Sequence, residues 1–289
     1  MFGVININKP KGITSFGVVA KLRKLLNIKK IGHSGTLDPL ASGVLPVFIS
    51  KATRLIQYAK NNKSYKAFAR LGIVTDSYDI EGNIINKTIA KYNSDEIKQI
   101  LKAFEGEIMQ IPPVFSAIKV DGKKLYEYAR QGKTDIQIEP RKVKIDRIYD
   151  IELLEQEKDF PLLVFTLDCE SGVYVRSIIH DLGQNLGTGA MMENLIRLKS
   201  TGLAIEDSVN LDDLTPANTA DFILDPGSVV DLSELIIDEE QYDKTSKGQA
   251  FGAGAKFLED EFIKLVYNDK LIGIAQVKNS LVYPKTVLI

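Results

Sequence analysis

The sequence predicts an α+β protein, with a large domain over residues 1–230 and a small β-rich one over residues 231–289. Three observations carry this expectation. Short apolar or alternating runs, read as strands, interleave with runs of three-and-four spacing, read as helices, to about residue 200. From Thr201 the composition turns acidic and broken, with Pro216, Pro226 and Gly227, which reads as a linker. Residues 262–289 then read as three short strands separated by Asn268-Asp269 and Lys278-Asn279 turns.

The elements follow in order. Residues 4–7 are an apolar strand ended by Asn8-Lys9-Pro10-Lys11-Gly12. Thr14-Ser15 opens a helix whose Phe16, Val19, Leu22, Leu25 and Leu26 share one face. Residues 32–39, rich in Gly and closed by Pro39, form a loop. A buried strand over 43–49, a helix over 53–59 and an alternating strand over 65–73 come next, then a polar loop over 75–83. Residues 94–104 make a helix with Ser94 as its N-cap and Gly106 just past its end. Pro112-Pro113 breaks the chain before a short helix over 123–131 closed by Gly132. Strands over 143–154 and 162–169 precede a helix over 177–186, stopped by Gly187.

Composition narrows the function. Apolar residues make up 44% and charged residues 26% of 289, which is ordinary for a globular protein. One cysteine, Cys169, excludes a disulfide framework, and with only His33 and His180 beside it there is no Cys/His zinc cluster. The N-terminal residues lack a basic stretch followed by an apolar one, and no apolar run has the length of a membrane span, so a soluble, cytoplasmic protein without membrane contact is expected. The net charge of −1 hides a gradient. Residues 1–70 carry 13 Lys/Arg and one acid, whereas residues 201–289 carry 7 and 16. A polyanion partner for the N-terminal part is one reading of that asymmetry; an uneven solvated surface is the other.

The one acid of the basic segment is Asp38, inside the Gly-rich loop. Asp-Pro alone is a common helix-capping pair. The loop carries neither the Gly-Lys-Ser/Thr of a P-loop nor a G-x-G-x-x-G. The whole run Gly32-His33-Ser34-Gly35-Thr36-Leu37-Asp38-Pro39, continuing to Leu45, closely resembles the catalytic motif of the TruB family of pseudouridine synthases. Further motifs follow in that family's order. Lys9 to Ser15 resembles its N-terminal motif, Tyr65 with Arg70, Gly72, Thr75 and Asp76 its tyrosine motif, and Gly172 to Gly183 its arginine motif. Leu195-Ile196-Arg197 matches the last, and Pro112 to Lys119 with Gly122 to Gly132 resembles an RNA-gripping insertion over about 112–140. Ser34 and Ile196 depart from residues frequent in the family. The resemblance spans about residues 3–200, with a weaker one to a PUA-like RNA-binding domain beyond.

The resemblance implies a mixed-sheet catalytic domain and a stand-alone enzyme that isomerises uridine 55 in the T-loop of transfer RNA. It implies no guide RNA, no obligate protein partner and a monomer. Isomerisation breaks the C1′–N1 bond and rejoins the base through C5, so no redox or group-carrier cofactor and no metal is expected. Asp38 is implied as the nucleophile, paired with Arg176, and Tyr65 as a residue that stacks on the base and moves a proton. The same resemblance places Tyr174 against the base, Leu195 in the pocket wall and His33 against RNA near the position the flipped nucleotide vacates. Lys9, Lys11 and Lys66 are expected to contact phosphates. His180 and Cys169 are read as structural.

Overall fold

The computed structural model describes residues 1–116, 118–120, 122–129, 131, 137–252 and 257–289. The chain runs through β1 (Gly3–Lys9), α1 (Ser15–Leu26), β2 (Ile31–His33) and β3 (Ser42–Ile49) to the long strand β4 (Asn62–Leu71). A hairpin of β5 (Ile73–Thr75) and β6 (Ile84–Lys87) leads to α2 (Ser94–Lys102) and β7 (Gly106–Gln110). A second hairpin, β8 (Lys119–Val120) and β9 (Lys123–Lys124), and the short α3 (Leu125–Ala129) precede β10 (Arg141–Leu154), β11 (Leu162–Glu170), α4 (Val175–Asn185) and β12 (Ala190–Ser200). The remainder is β13 (Leu203–Ala204), β14 (Val209–Asn210), β15 (Ser233–Ile236), α5 (Glu239–Ser246), β16 (Phe251–Gly252), β17 (Phe262–Tyr267), β18 (Lys270–Lys278) and β19 (Leu281–Val287).

Ten strands form one mixed sheet in the order β14-β1-β3-β12-β4-β11-β10-β7, with β2 on β3 and β13 on β12. The β1–β14 and β3–β12 pairs are parallel and the other pairings of this sheet are antiparallel. A second sheet, β15-β17-β18-β19-β16, makes the C-terminal part β-rich. The α+β expectation therefore holds.

Three apolar clusters position the site. On one face of the sheet, Ala67, Ala69, Phe165 and Leu167 pack against Ile178, Ile179 and Leu182 of α4 and Ile97 and Leu101 of α2. Val18, Val19 and Leu22 of α1 pack on Ile5, Ile7, Leu45 and Val47. This helix is capped by Thr14, whose hydroxyl accepts from Gly17 N, and ends at Asn27 in the left-handed region. The third cluster joins the two sheets through Val4, Phe48 and Leu55 on one side and Ile274 and Leu288 on the other.

Several local expectations need correction. The stretch expected as a helix over 53–59 is a 3-10 segment, Ser50–Tyr58. Its buried residues, Ala52 and Leu55, are three apart, so a three-residue turn brings both to the core. Asn93, not Ser94, caps α2, its side chain accepting from Asp95 N. The turn after β18 is formed by Asn279 and Ser280, both with positive φ, rather than by Lys278-Asn279. Residues from Thr201 onward are not a linker: β14 pairs with β1, Leu224 bridges to Val4, and Val209, Leu211 and Leu214 join the α1 cluster. Acidic, Pro-punctuated sequence hid these contacts because each apolar anchor stands alone between short turns. The short helix expected over 123–131 is present as α3, while Gly132 and other parts of the 112–140 segment lie outside the described residues.

Gly43 shows how tightly β3 and β12 meet. Its φ is +103°, and a Cβ there would lie 2.3 Å from the Arg197 carbonyl oxygen. Backbone strain of this kind costs about 1–3 kcal/mol before the clash is counted. Gly43→Ala is therefore expected to lower unfolding free energy by at least that amount, measured by urea denaturation.

Candidate active site

The Asp38 loop joins β2 to β3 and is tied down from four directions. Ser15, the first residue of α1, accepts from Leu37 N at 2.8 Å and donates to Leu37 O at 3.1 Å. Leu37 and Leu40 anchor the loop in the apolar cluster below. Arg197 donates to Gly35 O at 3.1 Å and Val44 O at 2.7 Å. Lys9 is fully buried, and its ammonium donates to the carbonyls of Ile13 (2.7 Å), Pro10 (3.0 Å) and Pro39 (3.3 Å). Burial brings Lys9 down to about 8, with Asp38 opposing the shift. Lys9 is thus a brace for the loop rather than a phosphate contact, because strand pairing of β1 turns it inward; Lys11 and Lys66 remain exposed.

Asp38 keeps 35% of its side chain exposed and meets Arg176 at 3.0 Å, Nη2 to Oδ2. Arg176 lies in the first turn of α4 and is itself buried. Its fork also donates to Phe115 O (2.9 Å) and Ser77 O (3.3 Å), and Nη1 stands 3.4 Å from Asp79 Oδ2. The guanidinium therefore sits between two carboxylates from different loops. Burial pushes Asp79 above its ordinary value; a hydrogen bond from Ser77 and the charge of Arg176 pull it back. Asp79 also accepts from Glu81 N at 3.1 Å, which closes the β5–β6 turn around it.

Strand pleat places the remaining residues. Tyr65 on β4 pairs with Leu167 on β11 and Arg197 on β12, and Leu195 pairs with Ala67 two positions on. Side chains directly across a ladder share a face, so Tyr65, Leu195, Arg197 and Lys63 form one group. Tyr65 and Leu195 are each 6% exposed. Burial raises the Tyr65 phenol above its ordinary value, and the neighbouring Arg197 charge opposes that. Tyr174 precedes α4, its peptide held by Gln110, which donates to Tyr174 O (3.1 Å) and accepts from Tyr174 N (2.8 Å). Burial raises the Tyr174 phenol as well. His33, half-buried at the end of β2, is held below its ordinary value by burial and then by Arg197.

Asp38 and Arg176 are in direct contact, and the Asp38 charge is felt at Tyr65 and Tyr174. Leu195 joins them by register and His33 lies two residues before Gly35, which Arg197 holds. Sequence reasoning misses Asp79, which looks like any turn acid, and the burial of Arg197, whose motif points only to Leu195 as a pocket residue. Lys63 was also missed; period-two counting back from Tyr65 would have found it. His180 stacks on Tyr78 with centroids 3.8 Å apart, and Cys169 is buried with its thiol pushed up to about 12.

Known proteins carry related sequences and folds. The description "TruB family pseudouridylate synthase (N terminal domain)" matches residues 23–175, and "tRNA pseudouridylate synthase B C-terminal domain" matches 176–226. With a model covering more than half of it, the chain belongs to the TruB family of pseudouridine synthases, which are isomerases. The tRNA pseudouridine synthase B of Clostridium tetani is 38% identical over 282 residues, spanning 96% of each chain. That of Heliobacterium mobile is 40% identical over 278 residues, 95% of this chain and 89% of its own. Among solved structures, an archaeal box H/ACA sRNP Nop10-Cbf5 complex superposes with a TM-score of 0.72 at 27% identity, covering 99% of this chain and 86% of the other.

Lys63 offers a check on the electrostatics. Burial, then Arg197, brings it down to about 8 from an ordinary 10.5. The unfolded chain then binds this proton more tightly than the folded one. Charge on Lys63 disfavours the fold below about pH 8, and the penalty is relieved as pH rises toward 10.5. Denaturation at about pH 7 and pH 9.5 is expected to show wild type gaining stability relative to Lys63→Met. Parallel behaviour of the two proteins would place the ammonium in water.

Proposed function

We propose that this protein isomerises uridine 55 in the T stem-loop of transfer RNA to pseudouridine, with Asp38 as nucleophile and without guide RNA, cofactor or metal. The observation that carries the reading is the Arg176–Asp38 contact: a part-exposed carboxylate paired with a buried guanidinium fork beside Tyr65. Relatives named tRNA pseudouridine synthase B, at 38–46% identity, support a stand-alone enzyme over the H/ACA assembly, whose matching chain is 27–29% identical.

The target nucleotide is flipped out of its stack at a cost of a few kcal/mol. Stacking against aromatic side chains returns about 1–3 kcal/mol per base. Tyr65 and Tyr174 supply those faces, Leu195 lines the pocket and His33 occupies the gap left in the RNA. Asp38 opens the C1′–N1 bond, the uracil is held until C5 reaches C1′, and Tyr65 takes part in removing the C5 proton. Residues 1–230 act as the catalytic domain, the segment at about 112–140 as its grip on RNA, and residues 231–289 as a PUA-like RNA-binding domain. The protein works as a cytoplasmic monomer. Phosphate contacts come from exposed residues of the basic segment such as Lys11 and Lys66.

Incubation of purified protein with a T-arm RNA labelled at C5 tests the reading. Label is expected to pass to water without added guide RNA, and its retention would overturn the assignment. Asp38→Asn is expected to retain less than a few per cent of the wild-type rate, with tRNA affinity within about tenfold, because the amide keeps the shape and loses the charge. Arg176→Lys is expected to be nearly as damaging as Arg176→Ala, since a point charge cannot hold two carboxylates and two carbonyls in one plane. A lysine variant within tenfold of wild type would show that charge alone suffices.

A further inference from the structure

Arg197 heads the large side chains that are completely buried. Its Nε and Nη2 are occupied by Val44 O and Gly35 O, but Nη1 is buried without a hydrogen-bond partner. Among the described residues no carboxylate lies within ion-pair distance of it. A buried unpaired charge is costly, and a neutral amide would serve to tie a loop to a strand. The positive charge therefore needs another explanation.

The groups around it narrow that explanation. Lys63 from β4, His33 from β2 and Lys9 from β1 all have their protonated forms disfavoured by the Arg197 charge. Lys63 Nζ and Arg197 Nη1 converge on Gly35, where a Cβ would stand 3.2 and 3.4 Å from them. Cys169 from β11 is held as a thiol by burial. Tyr65 stands directly across the β4–β12 ladder from Arg197; burial disfavours its anion, as it does that of Cys169, and the Arg197 charge is what opposes burial at the phenol, with Asp38 and Cys169 the other groups that face it. A second arginine placed only to hold structure would not need to stand opposite the Tyr65 phenol.

We propose that Arg197 is a positioning residue for Tyr65: the free edge of its guanidinium holds the phenol oxygen in the state that accepts the C5 proton. This rests on the functional reading above. Once C5 is bonded to C1′, the base carries a C5–H bond and an N1=C6 double bond. Tyr65 phenolate takes the proton, the C5–H electron pair re-forms C5=C6, the N1=C6 pair moves onto N1, and N1 takes a proton from water. The phenol then returns its proton to solvent. Arg197 touches no reacting atom; it balances the negative charge on oxygen while that charge exists.

The test uses the full chain and single-turnover label release from a C5-labelled T-arm RNA between pH 6 and 10. Arg197→Gln keeps donors for the loop and removes the charge. It is expected to lose about 100-fold at neutral pH, within the usual range for a proton-transfer defect, with tRNA affinity within about threefold. Both profiles should still be rising at the alkaline end of this range, with the limb of the variant displaced to higher pH. Difluorotyrosine at position 65, a more acidic phenol, should restore at least tenfold in this variant, and Arg197→Lys should fall between the Gln variant and wild type. A limb that has not moved, together with no rescue, would reduce Arg197 to a structural tie and overturn the proposal. If Arg197→Gln fails to fold, difluorotyrosine at position 65 of the otherwise unaltered chain decides: the rising limb must move to lower pH, and a fixed limb overturns the proposal. Wild type that releases no label, or Tyr65→Phe that matches it, would instead overturn the functional reading itself.

Discussion

Arg176 holds together three segments that are far apart in sequence. Its helix begins where β11 ends, Asp38 comes from the loop before β3, and Asp79 from the β5–β6 turn. A guanidinium buried to this degree is tolerable only because each face of its fork meets an oxygen: two carboxylates and two carbonyls. The remaining architecture keeps that arrangement in register. α1 fixes Leu37 through Ser15, Lys9 braces the turn at Pro39, and Gln110 sets the peptide that leads into α4.

The same inward arrangement changes the meaning of the charge gradient. Thirteen basic residues in the first seventy invite a picture of a uniformly positive face. Lys9 is fully buried, and Lys63 lies behind the active-site loop, its Nζ converging with Arg197 Nη1 on Gly35. Arg70 is committed to Glu155 and Glu193. What stays in water is a smaller set that includes Lys11, Lys24, Lys29, Lys30 and Lys66. Part of the positive charge is therefore internal, where it shifts protonation, and only part is available to a distant phosphate.

Much of this was legible in the sequence, for physical reasons. Long periodic segments such as α1 and β10–β11 carry their pattern openly, because one face must leave water, although Phe16, expected on the apolar face of α1, stays exposed and Val18 is buried instead. The Asp38–Arg176 pair came through motif resemblance, since no period links residues 138 positions apart. What stayed hidden were single residues whose role is set by tertiary register. Asp79 is an ordinary turn acid until Arg176 reaches it. Lys9 is an ordinary basic residue until β1 turns it under Pro39. Residues 201–230 look like a tether because their anchors, Val209, Leu211, Leu214 and Leu224, each depend on a partner near the start of the chain.

That last dependence sets the order in which the protein can be built. Strand β1 is flanked by β3 on one side and by β14 on the other, and the Asn8–Asn210 contact closes a gap of 202 residues. Contacts this distant are entropically late, and chains rich in them fold slowly. The strand that carries Lys9 keeps an open edge until residues 209–210 and then Leu224 have been made and have docked. Nascent chains of this protein would therefore expose a pairing-competent edge for most of their synthesis, the condition in which neighbouring ribosomes' products aggregate. A two-residue β14 is a small element, yet with the Leu224 bridge to Val4 it ends that exposure.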